Sequence, residues 1–253
     1  DKGIIDLDMT LEELDIQDIH NLTDAERQAT IRNLLQARSG VFHPAAYETD
    51  AMKKARPERG SHAPGTFWYY NNWDFNTSCH ILMMHSGRDF FQDIKEQFAD
   101  PLEMEDFRME DTYYHLEAEH SKYPAYPFRL SARDMARFGQ LFLQMGKWNG
   151  RQIIPEYWVE ESAMTTYSEN TRTQGRGYSY MWWTGIYGAE HRNYSAQGVG
   201  NQAIIVYPEE DMVMVNRTNT FVGERVNTQD LVKLTEMIFA ARTGEGKAHP
   251  RLL

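Results

Sequence analysis

The chain has 253 residues, of which 41% are hydrophobic and 25% charged, enough for one large domain or two small ones around a substantial core. Its formal net charge is -11 and its pI is near 5.3, with no Lys/Arg cluster suited to neutralising phosphates, which argues against a nucleic-acid partner. The single cysteine, Cys79, excludes an internal disulfide and a cysteine-rich metal site, and no apolar run approaches the roughly 18 residues that span a bilayer.

The first residues, Asp1-Lys2-Gly3, carry neither an initiator Met nor a signal-peptide pattern, so the start reads as processed or truncated. Residues 6–18 read as irregular acidic surface. Thr23-Asp24-Ala25-Glu26 is a capping box. Ala29, Ile31, Leu34 and Leu35 continue it at helical spacing, and Gly40 is the expected left-handed stop. Residues 43–65 mix Pro, Gly and charge and predict a long loop.

Two helices split near Gly87 follow, built on Cys79, Ile81, Leu82 and Met83, then Phe90, Ile94 and Phe98, and Pro101 ends them. Residues 113–128 are irregular. Ser131-Ala132-Arg133-Asp134 is a second capping box, with Asp134 expected to cap a helix presenting Met135, Phe138, Leu141 and Phe142 on one face. Trp148-Asn149-Gly150-Arg151 predicts a tight turn, and Pro155 sits where a first helical residue is expected.

From Tyr178 the texture becomes strand-like: one strand over 178–183, then a hairpin of 202–207 and 212–215 turning at Pro208-Glu209-Glu210-Asp211. Asn227 caps a last helix with Leu231, Leu234, Met237 and Ile238 on a common face, closed by Gly244. Helices first, then an antiparallel sheet with a terminal helix, predict an α+β architecture.

The stretch that organises the chain is Gly65-Thr66-Phe67-Trp68-Tyr69-Tyr70-Asn71-Asn72-Trp73-Asp74. Tyr70 and Asn72 resemble the Tyr-x-Asn motif of the serine β-lactamase and penicillin-binding-protein superfamily. Three other phrases are similar to that superfamily in the same order. They are Ala29 to Leu35 with Ser39-Gly40-Val41, Ser131 to Phe138, and Gly198-Val199-Gly200-Asn201-Gln202. The resemblance covers essentially the whole chain and points to the class C β-lactamase, esterase and nylon-oligomer-hydrolase branches. It implies an antiparallel sheet flanked by helices plus a helical region. As one domain over 1–253, the helical part is expected at about 20–175 and the sheet with its last helix at about 176–253.

The chemistry the resemblance implies is acyl transfer by a serine in Ser-x-x-Lys, with the Lys and the motif Tyr sharing the proton work. A phenol titrates near about 10, so it acts as a base only beside a cation. Tyr70 would be that base, Asn72 an orienting amide, and Gln197, Gly198 and Val199 the pocket edge and oxyanion support. No serine here is followed three residues later by lysine. By comparison with the family the nucleophile is expected upstream of Asp1, together with the first sheet strands. An alternative is a non-catalytic member that keeps the cleft without the nucleophile.

Ala196-Gln197-Gly198 stands where relatives carry Lys-Thr-Gly or His-x-Gly. Without that cation the site is expected to favour an ester or amide substrate over a β-lactam carboxylate. No metal, no organic cofactor and no transmembrane segment is expected. Family resemblance favours a periplasmic or secreted location.

Several residues have plainer readings. Tyr69 and Trp73 read as packing, the 13 Met residues as core filler, and Ser39 as a helix-end serine because it lacks a Gly-x-Ser-x-Gly elbow. His115 and His120 are five residues apart and do not share a helix face as His-Glu-x-x-His requires, so the segment 115–120 reads as a solvated or pocket-lining stretch.

Overall fold

A computed structural model describes residues 3–170, 176–187, 191–223 and 225–242. The chain forms two compact units, one of residues 1–100 and 107–129, the other of 101–106 and 130–253. Gly244 lies outside the described residues.

The first unit is helical. Helices α1 (Asp24–Arg27) and α2 (Ile31–Leu35) each begin with a complete capping box, Thr23 with Glu26 and Thr30 with Asn33. The single helix expected to run toward Gly40 is therefore two. Thr30 is drawn into an isolated bridge with Thr10, which extends its backbone and restarts the helix one residue later. Helix α2 ends at Gln36, with Ala37 in the left-handed region (φ 53°), so Gly40 is not its stop.

Within the expected loop over 43–65 lies a short helix, α3 (Asp50–Ala55), capped by Thr49. Helix α4 (Asn72–Ser86) starts on the N-cap Asn71 and stops at Gly87 (φ 65°), and α5 (Phe90–Ile94) runs on into a π-turn at Lys95–Ala99. The split near Gly87 is as expected.

The core of this unit gathers Leu11, Leu14, Ile16, Leu34, Val41, Trp73, Ile81 and Tyr123. Burying each such side chain is worth roughly 1.5–3 kcal/mol. Residues 6–18 are irregular, and Asp6, Asp8, Glu12, Glu13 and Asp15 are exposed as expected, but the stretch also supplies Leu11, Leu14 and Ile16 to that core. Buried Asp18 ties three distant segments together. Its carboxylate accepts from Trp73 Nε1 (2.8 Å), Ser121 Oγ (2.7 Å) and the Lys122 N–H (2.8 Å).

The second unit is built on a sheet. A two-stranded hairpin, β1 (Lys147–Trp148) and β2 (Arg151–Gln152), closes through the left-handed residues Asn149 and Gly150, as the sequence predicts. A six-stranded antiparallel sheet follows in the order β3 to β8. Its strands are β3 (Ser168–Asn170), β4 (Arg176–Tyr178), β5 (Trp183–Thr184), β6 (Tyr194–Gly198), β7 (Gln202–Tyr207) and β8 (Met212–Asn216). The single strand expected over 178–183 is instead the corner between β4 and β5. Met181 takes φ 61°, and the Ser179 N–H bonds to the Trp182 carbonyl at 2.8 Å.

Helix α6 (Ala132–Leu143) crosses β7 and β8 at close range. A Cβ at Gly139 would lie 2.6 Å from Val213 and 2.8 Å from Ile204, so only glycine allows this approach. Ser131 caps α6, whereas Asp134 only lends its N–H to that cap; its own carboxyl is buried and burial raises it. Pro155 turns out to be the N-cap residue of α7 (Glu156–Val159) rather than its first residue.

Helix α8 (Thr228–Ala241) is capped by Asn227 and buries Leu231 and Thr235. Leu231 joins Ile186, Tyr187, Ala203, Ile205 and Tyr207 in the core of this unit. Leu234 and Met237 are exposed instead, because the buried face runs through Leu231 and Thr235 at a spacing of four. Met135 is buried, whereas Met84 and Met237 are not, so the methionines are only partly core filler.

Candidate active site

The aromatic motif is held in an extended conformation just before α4. The Gly65 N–H bonds to the Arg38 carbonyl (2.8 Å) and the Tyr69 N–H to the Ala37 carbonyl (2.9 Å). Asn71 is extended (φ -148°), and its Oδ1 accepts from the Asp74 N–H at 2.9 Å while its Nδ2 donates to the Tyr69 carbonyl at 2.8 Å. Both functions of that amide are thus used to start the helix.

Tyr70, the residue before this cap, is partly buried and meets Phe75 edge-on with ring centroids 4.9 Å apart. Burial lifts its phenol above the usual tyrosine range, so at rest it is a neutral hydroxyl. Tyr126 lies in the same environment. Its hydroxyl donates to the Phe75 carbonyl at 3.2 Å, and burial, then Cys79 and Tyr70, raise its phenol as well.

Asn72 opens α4, and its Nδ2 donates to the carbonyls of Tyr47 (2.7 Å) and Ala46 (3.2 Å). This amide pins the 46–47 loop. That loop carries Tyr47, whose phenol is raised by its hydrogen bond to Tyr113 and by burial, and the Arg129 guanidinium lies 4.7 Å over the Tyr113 ring. Sequence reasoning missed Tyr47, Tyr113 and Arg129, because nothing local links residues so far apart; the one signal is Asn72 itself.

Tyr69 and Trp73 pack as expected. Tyr69 donates to the Met52 carbonyl at 2.9 Å, and Trp73 is fully buried. Ser39, which lies beyond the end of α2, is also fully enclosed. Its Oγ donates to Asp74 Oδ1 at 2.6 Å and accepts from the Val41 N–H at 3.0 Å. Asp74 is completely buried with Oδ2 unpartnered, and burial pushes its carboxyl up to about 8 against the hydrogen bonds from Ser39 and Asn71. Ser39 thus faces a neutral acid inside the core, an arrangement suited to packing rather than to nucleophilic attack.

In the second unit, Gln197 and Gly198 are the last residues of β6, and Val199 begins the turn into β7. Gln197 Nε2 donates to Ser195 Oγ at 3.3 Å. Gly198 pairs with Gln202 in register, and Val199 is 53% exposed. Asn201 (φ 65°) completes the turn, with Oδ1 accepting from Tyr187 Oη at 2.9 Å and its carbonyl accepting from Asn216 at 2.7 Å. Tyr70 and Asn72 thus sit together at the start of one helix, and Gln197, Gly198 and Val199 sit together at the tip of one hairpin.

Among the described residues, one group brings metal-ligating atoms together: Glu117, Glu119 and His120.

The beta-lactamase family model matches residues 1–236. No curated protein sequence matches the chain. Among solved structures, a Bacillus anthracis protein named a 6-aminohexanoate-dimer hydrolase is 22% identical with TM-score 0.69, the match covering 95% of this chain and 67% of that one. An octameric penicillin-binding protein homologue from Pyrococcus abyssi is 17% identical with TM-score 0.67, over 94% and 61%. A D-stereospecific amidohydrolase from Streptomyces sp. is 17% identical with TM-score 0.56, over 85% and 74%. The chain spans about two thirds of the first two. The helical unit, the antiparallel sheet and the family match agree, and the chain belongs to the beta-lactamase family with its α+β fold.

Proposed function

We propose that the protein containing this chain hydrolyses an ester or amide through an acyl-serine intermediate, with the nucleophilic serine and its lysine lying upstream of Asp1. The observation that carries the reading is the placement of Tyr70 and Asn72 at the start of α4, in a chain of a hydrolase family. Tyr70 is a neutral phenol at rest, so its work as a base requires a neighbouring cation. The lysine of Ser-x-x-Lys is the group of that type the family pattern supplies. Strand β8 pairs with β7 alone among the described residues, and a strand from the same upstream segment would cover its other edge.

In this reading Tyr70 takes the serine proton and returns it to the leaving group. The Asn72 amide fixes the 46–47 loop, and its Oδ1 is the acceptor for the lysine ammonium or a substrate N–H. By the family resemblance, Gln197, Gly198 and Val199 would supply a pocket edge and a backbone N–H for the oxyanion. The absence of a cation in Ala196-Gln197-Gly198 favours uncharged substrates. A panel of p-nitrophenyl esters, a D-amino-acid amide and a chromogenic cephalosporin, offered to the full-length gene product, tests this. Turnover of the esters or the amide above that of the cephalosporin supports it, and turnover of none supports the non-catalytic alternative.

A further inference from the structure

We infer that Glu117, Glu119 and His120 form a binding site for a divalent transition-metal ion of the zinc type, next to the Tyr47 loop that Asn72 holds. One ligand atom from each lies within 4.8 Å of the others. A tetrahedral ion with bonds near 2.0–2.1 Å sets its ligand atoms about 3.3 Å apart, so small side-chain rotations suffice. The imidazole selects a borderline-soft ion over magnesium or calcium.

The expectation from helical spacing does not apply to this segment, because it is a closed turn and not a helix. His115 and Ala125 exchange backbone hydrogen bonds of 2.8 and 2.9 Å, and the His120 N–H bonds back to the Glu117 carbonyl at 2.8 Å. The turn is anchored from below, where buried Asp18 accepts from Ser121 Oγ and the Lys122 N–H.

The ligands are also oriented. Glu117 Oε1 accepts from the Tyr47 N–H at 3.0 Å and stands 3.1 Å from His115 Nε2, which leaves Oε2 directed at His120 Nδ1, 2.6 Å away. Metal-bound carboxylates are held by outer hydrogen bonds of this kind. Glu119 brings a second, exposed carboxylate toward the same point.

The test is calorimetric titration of the metal-free full-length protein with zinc chloride, with magnesium chloride as control. One equivalent of zinc is expected, with at least tenfold weaker binding in both His120→Ala and Glu119→Gln, and no competition from magnesium at equal concentration. Glu119 is exposed, so Glu119→Gln should leave the melting temperature of the metal-free protein unchanged and reports on the site even if the histidine variant folds poorly. Absence of zinc binding, equal affinity in Glu119→Gln, or equal competition by magnesium overturns the inference.

Discussion

Ser39 Oγ donates a 2.6 Å hydrogen bond to Oδ1 of Asp74, thirty-five residues away, inside the first unit. This contact joins the turn after α2 to the first turn of α4, the helix that begins with Asn72. Burial lifts the Asp74 carboxyl to about 8, so the acid is neutral in the folded chain at moderate pH and ionised in the unfolded one. The contribution of a group raised in this way is complete below its ordinary value near 3.8 and is lost as pH rises toward about 8. The loss runs at about 1.4 kcal/mol per pH unit. Asp74→Asn keeps the acceptor and removes the titration. The variant should match the wild type near pH 4 and melt several degrees higher near pH 8; identical curves at both pH values contradict a buried neutral acid here.

Asp18 should matter to the fold out of proportion to its size. Asp18→Ala strands the Trp73 indole N–H, the Ser121 hydroxyl and the Lys122 N–H in buried surroundings. At roughly 1–3 kcal/mol for each unsatisfied group, the loss should be on the order of 3–5 kcal/mol. Urea denaturation measures it, and a loss below about 1 kcal/mol would show that water takes over those partners.

Gly40 has φ +72°, and a Cβ there would sit 2.8 Å from the His62 carbonyl oxygen. Gly40→Ala is therefore expected to cost roughly 1–3 kcal/mol through backbone strain alone. The readout is the thermal midpoint; an unchanged midpoint would mean the Ser39-Gly40 turn can rearrange at little cost.

At the proposed catalytic end, Tyr70→Phe should lower kcat/KM of the full-length protein on esters by about 10² to 10⁴ while leaving the fold intact. Steady-state kinetics beside circular dichroism separate the two effects, and full activity in the variant removes Tyr70 from the mechanism.

Ala196 offers a test of specificity. Ala196→Lys restores a cation in the phrase where relatives carry one, and a charge-assisted hydrogen bond of about 1.5–3 kcal/mol should raise the relative turnover of carboxylate-bearing substrates about tenfold. No change in the ratio of carboxylate to uncharged substrates would place that residue away from the substrate.

Much of this molecule is legible in local sequence because local physics decides it. Thr23, Ser131 and Asn227 satisfy exposed N–H groups at helix starts, and Asn149-Gly150 closes a hairpin, without help from distant residues. Local sequence is silent where distant residues intervene. The bridge of Thr30 to Thr10 that splits α1 from α2 is invisible locally, and the left-handed Met181 hides the corner between β4 and β5. Helical spacing separates His115 from His120, whereas the segment is a turn closed by the pairing of His115 with Ala125 and anchored by Asp18, more than a hundred residues earlier. The Tyr70 and Asn72 motif was readable as a pattern. That the Asn72 amide is engaged with the 46–47 carbonyls was not.

The most direct measurement is labelling of the full-length gene product by a fluorophosphonate probe, followed by peptide mass spectrometry. The account predicts one adduct, on a serine upstream of Asp1 in a Ser-x-x-Lys sequence, formed far more slowly in Tyr70→Phe. Labelling of a serine within these 253 residues, or no labelling at all, would contradict it.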